Sequence, residues 1–251
     1  MTEPFETSIR NHIAEITLNR PPVNALAGKH WHQLAITINE LSNNPQVRVV
    51  LIRAEGRGFC AGVDIKELQV RPDMIGSVNK GNYDTFKAIH QAKVPVIVAM
   101  HGFVLGGGIG ICGAADIVVA SECARFGVPE VDRGALGGGA HLQRLLPLQK
   151  VRYLYFTGLE MTAQEAARYG GIEAVVKRDQ LHDHARAIAE KIAEKSPALI
   201  SLAKEALNGV EASNLERNYR WEQGFTAQAY LHSDSQMTRD AFVTTGENAN
   251  F

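Results

Sequence analysis

Three stretches of this sequence could do chemistry together: the glycine-rich turns Ala61-Gly62-Val63-Asp64 and Gly106-Gly107-Gly108, and Glu130 in the turn Gly127-Val128-Pro129-Glu130-Val131-Asp132-Arg133-Gly134. Each glycine turn closes an apolar, strand-like run and opens a short helix. Backbone N–H groups at such a helix start have no intrahelical acceptor, and here no bulky side chain shields them, so the site holds negative charge well. If the two strands are neighbours, one N–H from each turn can converge on a single oxygen, which makes an oxyanion hole. Glu130 is then the candidate base, with Asp132, Arg133 and His141 close by in sequence. Either turn alone reads as a tight turn. The pair, followed by an acid, reads as a site.

Other chemistries have no local support. Gly108-x-Gly110-x-x-Gly113 matches a dinucleotide fingerprint, with Glu130 near the acidic position. The strand-like Asp116-Ile117-Val118-Val119 follows too soon for the helix that the fingerprint requires. There is no G-x-S-x-G elbow, P-loop, H-E-x-x-H or paired C-x-x-C, so serine hydrolase, NTPase and zinc chemistry are not indicated, and no metal or separate cofactor is expected. Cys60, Cys112 and Cys123 are odd in number and form no ligand-like pairs; they read as reduced thiols of a cytoplasmic protein, with Cys60 as small buried filler.

The elements that must position these residues are α/β in pattern. His12 to Leu18 alternates like a strand and ends at the turn Asn19-Arg20-Pro21-Pro22-Val23-Asn24. Lys29 to Leu41 has helical spacing, with Leu34, Ile38 and Leu41 on one stripe, and Val47 to Ile52 reads as a buried strand. Residues 70–82 are polar and broken, which predicts a mobile segment, before a helix running to about Gln91. After Gly139 the pattern becomes helical, over 141–156, 162–169, 179–195, 197–208 and 215–231, with a strand only at 172–176 and a capping box at Thr162-Ala163-Gln164-Glu165. This divides the chain into an α/β core, 1–192, and a C-terminal helical region, 193–251, whose apolar helices need a partner in the core or in a neighbouring subunit.

A length of 251 residues with 45% hydrophobic and 21% charged residues suits one large domain or a domain with an appendage. A net charge of -1 gives no case for nucleic acid or an acidic membrane surface. No apolar run is long enough to span a bilayer, and MTEPFETSIR is unlike a targeting segment.

Several motifs in order, NRPPVNAL, FCAGVDIKEL, PVIVAMHGFVLGGG, ADIVVAS…ARFGVPEVDRG and SDSQMTRDAF, resemble the crotonase (enoyl-CoA hydratase/isomerase) superfamily across nearly the whole chain. The resemblance implies a spiral of β-β-α turns with a C-terminal helical trimerisation region, assembled as trimers or pairs of trimers. It implies an acyl-CoA thioester substrate whose carbonyl oxygen sits between the N–H groups of Val63 and Gly107. The loop Ala61, Gly62, Val63, Asp64, Ile65, Lys66 and the turn at Pro22 to Asn24 would hold the bent CoA. Hydratases of the family carry two glutamates. The second corresponds to Glu130; the first falls on Gly110. Dienoyl isomerases carry aspartates at positions that here are Gly110 and Gly138. The combination LIRAEGRGF-x-AGVDIKE, FG-x-PEV-[acid]-RGALG and YR-x-EQGFT is most similar to the steroid ring-opening CoA-thioester hydrolases of bacterial cholesterol and bile-acid degradation. That resemblance implies hydrolysis of a C–C bond beside a ring ketone, with the glycines at 110 and 137–139 leaving space for a bulky substrate and Glu222 as a further candidate acid. An enoyl-CoA hydratase or isomerase using Glu130 alone, and a non-catalytic scaffold of the same fold, are the alternatives.

Overall fold

A computed structural model describes residues 4–247 and 249 of the chain. Strands β1 (Phe5–Arg10) and β2 (Ile13–Leu18) form an antiparallel hairpin turned at Asn11 and His12, whose φ values of 52° and 65° are those of a two-residue hairpin loop. Only the second of these strands was expected; β1 is an edge strand that buries Phe5 and exposes the rest, so its polar letters resemble a tail. Helix α1 (Gly28–Asn43) follows, burying Trp31, Leu34, Ala35, Ile38 and Leu41, and leads to β3 (Val49–Ala54).

After the loop that carries Val63, the chain forms α2 (Ile65–Val70), a tight turn at Pro72–Met74 and α3 (Ile75–His90). The expected mobile segment at 70–82 is therefore mostly helix. Its polar residues divide by face: Arg71, Asp73 and Lys80 are exposed while Asn82 is buried, and just beyond the segment Thr85 donates to the carbonyl of Trp31 at 2.7 Å. Gly81 lets α3 lie directly on α1, because a Cβ there would stand 2.9 Å from that of Trp31.

Next come β4 (Val96–Met100), β5 (Phe103–Leu105), α4 (Gly107–Ala114), β6 (Ile117–Ser121) and β7 (Arg125–Gly127). A 3-10 turn over Pro129–Arg133 carries Glu130. The predicted single helix at 141–156 is two, α5 (Gly139–Leu142) and α6 (Leu148–Thr157), because Pro147 ends the continuity and caps the second. Then follow β8 (Met161–Thr162), α7 (Ala163–Ala167), β9 (Ala174–Val176), α8 (Leu181–Ala193), α9 (Pro197–Val210), α10 (Leu215–Tyr230) and α11 (Ser233–Thr245). Thr162 and Glu165 form the reciprocal capping box that their spacing predicts.

The strands form two sheets, β1-β2-β3-β4-β6-β9 and β5-β7-β8, and from β4 to β9 the chain steps back and forth between them, which makes the spiral. From β2 to β9 the larger sheet is parallel. Both its faces are covered, which is why its strands read as unbroken apolar runs. Val50, Ile52, Val96 and Val98 join the main core, while Val49, Leu51 and Ile97 face Leu181, Ala185 and Ala189 of α8. Helices α10 and α11 fold back onto α3, α5, α2 and the Glu130 turn, so residues after 193 reach the site of their own chain.

Candidate active site

β3 and β4 are parallel neighbours, and a bridge between Cys60 and Val104 draws the two glycine turns together. Gly62, at φ +85°, lies so close to the second turn that a Cβ would stand 2.9 Å from the Gly107 nitrogen and 3.0 Å from the Leu105 oxygen. The Leu26 carbonyl takes the Asp64 N–H at 3.0 Å and the Leu26 N–H goes to the Gly62 oxygen at 2.8 Å, a pattern that turns the Val63 N–H to the opposite side. Gly107 is the first residue of α4, so its N–H lacks an intrahelical acceptor. Among the described residues neither N–H has a protein partner, and both Val63 and Gly107 line one cavity of about 210 Å³. The predicted pair of donors is thus brought together at one place.

Glu130 lines the same cavity. Its carboxylate presses on Gly106, whose φ of +52° and lack of a Cβ make room for it. Oε2 is buried without a hydrogen-bond partner. Burial, helped by the charge of Glu222 and opposed by Arg133, pushes the carboxyl from its ordinary 4.5 up to about 8. Glu130 is the only acid among the residues lining the cavity, whose other walls include Leu68, Ile75, Val78, Phe86 and Leu136. Of the glycines expected to leave space, only Gly137 has open room beside it: a Cβ at Gly138 would stand 2.9 Å from Val128 and one at Gly139 2.7 Å from Glu222 Oε1, and at Gly110 the Phe86 ring fills the position a side chain would take. A second carboxylate has no place there.

Two expected partners of Glu130 lie elsewhere. Asp132 sits two residues on in a helix with three residues per turn, and its carboxylate lies against Gly158 at the end of α6, outside the cavity. His141 is a packing residue, 1% exposed, wedged edge-on between Phe86 and Tyr219 at 4.7 and 4.6 Å, and burial pushes its imidazole down to about 3. It is neutral and walled off from the cavity. Glu222 caps α5, accepting from Gly139 N–H at 2.8 Å and Ala140 N–H at 3.1 Å; burial raises its carboxyl too, and it acts on Glu130 through charge. Arg133 reaches the cavity wall with its guanidinium stacked 3.8 Å over the Phe242 ring.

A second, open groove of about 1110 Å³ meets the cavity at Ala61, Val63, Ile65 and Phe242. The predicted Ala61, Val63, Asp64, Ile65 and Lys66 line it, joined by Arg20, Lys29 and His30, which sequence reasoning did not single out. Lys29 and Lys66 are exposed; Arg20 is held by Asp64 at 2.9 Å. Gly62 contributes its conformation rather than a surface. Asn24 corrects the expectation of a CoA contact: its buried side chain accepts from Arg20 N–H at 2.7 Å and donates to the Glu55 and Gly58 carbonyls at 2.9 Å, which uses it up in fixing the turn. Cys60 is filler as read, its thiol pushed up to about 12 by burial.

Residues 8–250 match the Enoyl-CoA hydratase/isomerase family. A Rhodococcus jostii protein named "(7aS)-7a-methyl-1,5-dioxo-2,3,5,6,7,7a-hexahydro-1H-indene-carboxyl-CoA hydrolase" is 47% identical over 238 residues, covering 94% of this chain and 92% of the relative. A Mycobacterium tuberculosis protein of the same name is 45% identical over 233 residues, covering 92% and 94%. Among solved structures, a carnitinyl-CoA hydratase from Mycobacterium avium superposes with a TM-score of 0.85 at 28% identity, over 100% of this chain and 99% of that one. An enoyl-CoA hydratase/isomerase from Xanthobacter autotrophicus reaches 0.90 at 24% identity over 98% and 95%, a likeness of fold. Matched over residues 8–250 and 47% identical to one relative over 94% of its own length, the chain belongs to the enoyl-CoA hydratase/isomerase, or crotonase, family.

Proposed function

We propose that this protein hydrolyses a C–C bond beside a ring ketone in a bicyclic CoA thioester, in the manner of the relatives named as hexahydroindene-carboxyl-CoA hydrolases. The observation that carries this reading is Glu130 as the lone acid lining the cavity it shares with the Val63 and Gly107 N–H groups, its Oε2 buried, with Phe86 occupying the place of a second acid. One base suffices for hydrolysis. Glu130 takes a proton from water as the water oxygen adds to the ring-ketone carbon. The tetrahedral centre then expels the neighbouring ring carbon, and the bonding pair passes by conjugation to the thioester oxygen. The Val63 and Gly107 donors hold that enolate, a contribution of several kcal/mol, roughly 3–4 for a single such donor. The carbon takes the proton back, and one water has become a carboxylic acid and a C–H bond.

The open groove supports a bent CoA, with exposed Lys29 and Lys66 facing its phosphates and the apolar cavity taking the rings. The outer face of α9 supports a homotrimer or a dimer of trimers, and three free thiols fit a reducing cytoplasm.

Proton release at constant pH tests the reaction, since hydration and hydrolysis both consume water but only C–C hydrolysis makes a new acid. The expected result is acid from a bicyclic keto acyl-CoA, abolished in Glu130→Gln, with kcat/KM rising with pH as Glu130 loses its proton near 8. Loss of the enoyl absorbance of a linear enoyl-CoA, without acid from the ring ketone, would instead mark a hydratase.

A further inference from the structure

The oxyanion hole answers one half of that reaction. While the thioester oxygen occupies the Val63 and Gly107 donors, water addition creates a second oxyanion on the ketone carbon, several bonds away. An alkoxide formed in an apolar, water-poor cavity needs its own donor.

The cavity wall holds one polar cluster that no step above uses. Tyr219, Asn82 and Gln223 line the cavity together, 5%, 6% and 8% exposed. Asn82 and Gln223 flank the Tyr219 phenol, and Gln223 is anchored by donating to the Asn79 carbonyl at 2.6 Å. Tyr219 itself lines the cavity, so its hydroxyl is available to donate to a ligand there. Asn82 Oδ1 is buried with no partner, an acceptor waiting for a donor. The Tyr219 ring is fixed by Phe86 at 5.3 Å and His141 at 4.6 Å, so the hydroxyl is preorganised. Phe86 is the residue that covers Gly110, which puts this cluster beside the position where two-glutamate relatives carry their other acid.

We propose that Tyr219 and Asn82 form a second oxyanion site, built from side chains, which binds the tetrahedral centre at the ring ketone. The Tyr219 O–H donates to the alkoxide, and Asn82 Oδ1 accepts from the hydroxyl that water has just supplied. One free donor and one free acceptor match the two oxygens of that centre. When the C–C bond breaks, the same pair holds the new carboxylic acid. The assignment rests on the hydrolase reading above.

Tyr219→Phe tests it, since it keeps the ring and its stacking while deleting the hydroxyl. The expected result is a fall of about 100-fold in kcat for acid release, with KM nearly unchanged. Affinity for a keto-free bicyclic acyl-CoA and the unfolding temperature should stay as in the parent. Asn82→Leu, which keeps the volume, should lower kcat in the same selective way. Unchanged kcat in Tyr219→Phe overturns the proposal, as does a fall matched by an equal loss of affinity for the keto-free thioester, the signature of a shape role. If the parent enzyme itself releases no acid from the ring ketone, the hydrolase reading fails and the second site falls with it.

Discussion

At the scale of single residues, the site is defined by a carboxylate the fold would be more stable without. Glu130 is held near 8 because burial penalises its charged form. The folded chain therefore keeps a proton that the unfolded chain releases between about pH 4.5 and 8. With the folded form binding more protons, stability is full below that window and falls as pH rises through it. Glu130→Gln carries no charge to bury. It should come close to the parent near pH 5 and exceed it near pH 9, by about 4 kcal/mol in urea unfolding. A constant difference across pH would mean the carboxyl is not held in this way. The two glycine turns and Glu130 were legible because glycine turns and a trailing acid are local signals, while Val63 and Gly107 were singled out by the family resemblance. The sequence misdirected attention at Asp132, His141 and Asn24, where nearness along the chain says nothing of direction: the tight turn sends Asp132 to Gly158, a four-residue helix turns His141 inward, and Asn24 spends its amide on its own loop. Asn82 and Tyr219 were hidden for the converse reason, since polar letters on a helix look solvated until a cavity is known to face them.

At the scale of elements, long apolar runs and capping signals were legible and short strands were not. β5, β7 and β8 span two or three residues each, too few for an alternation to register, yet they bring the Glu130 turn under the glycine turns. The attachment of α9 was equally unreadable, because its one buried residue is a lysine. Lys204 donates to the Ile89 and Val94 carbonyls at 3.1 Å each and to Asp116 at 2.7 Å, and Asp116 also accepts from the Val96 N–H at the start of β4. This ammonium pins the first C-terminal helix to the end of the central strand. Lys204→Ala strands two buried carbonyls and a half-buried carboxylate, and should lower stability by about 2–4 kcal/mol in chemical unfolding. A change within a few tenths of a kcal/mol would mean that water replaces the ammonium at no cost.

At the scale of the whole molecule, α9 is amphipathic in the wrong sense for a monomer. Its inner face meets the core through Lys204 and Asn208, while Leu199, Leu202, Leu207 and Val210 are 67%, 62%, 66% and 78% exposed. Phe156 of α6 and Trp221 of α10 are each 74% exposed as well. Scattered apolar residues on a surface need no partner, but four on one helix whose polar side is buried do. Closed cyclic assembly satisfies such a face without leaving an edge for further growth. The wild-type protein should therefore sediment at a multiple of its 27.4 kDa chain mass, three or six chains. The double substitution Leu199→Glu and Leu202→Glu should shift it to the monomer by placing charge in the contact. The Lys204 anchor is left intact, so the circular dichroism of the variant should match the parent. A monomeric parent, or a variant that still assembles, would remove α9 from the interface. Activity follows from the same geometry: α10 and α11 supply Tyr219, Gln223, Thr226, Tyr230 and Phe242 to the cavity wall, so whatever steadies the C-terminal helices also shapes the site. The dissociated variant should keep the groove contacts of Ala61 to Lys66 and lose turnover before it loses CoA binding.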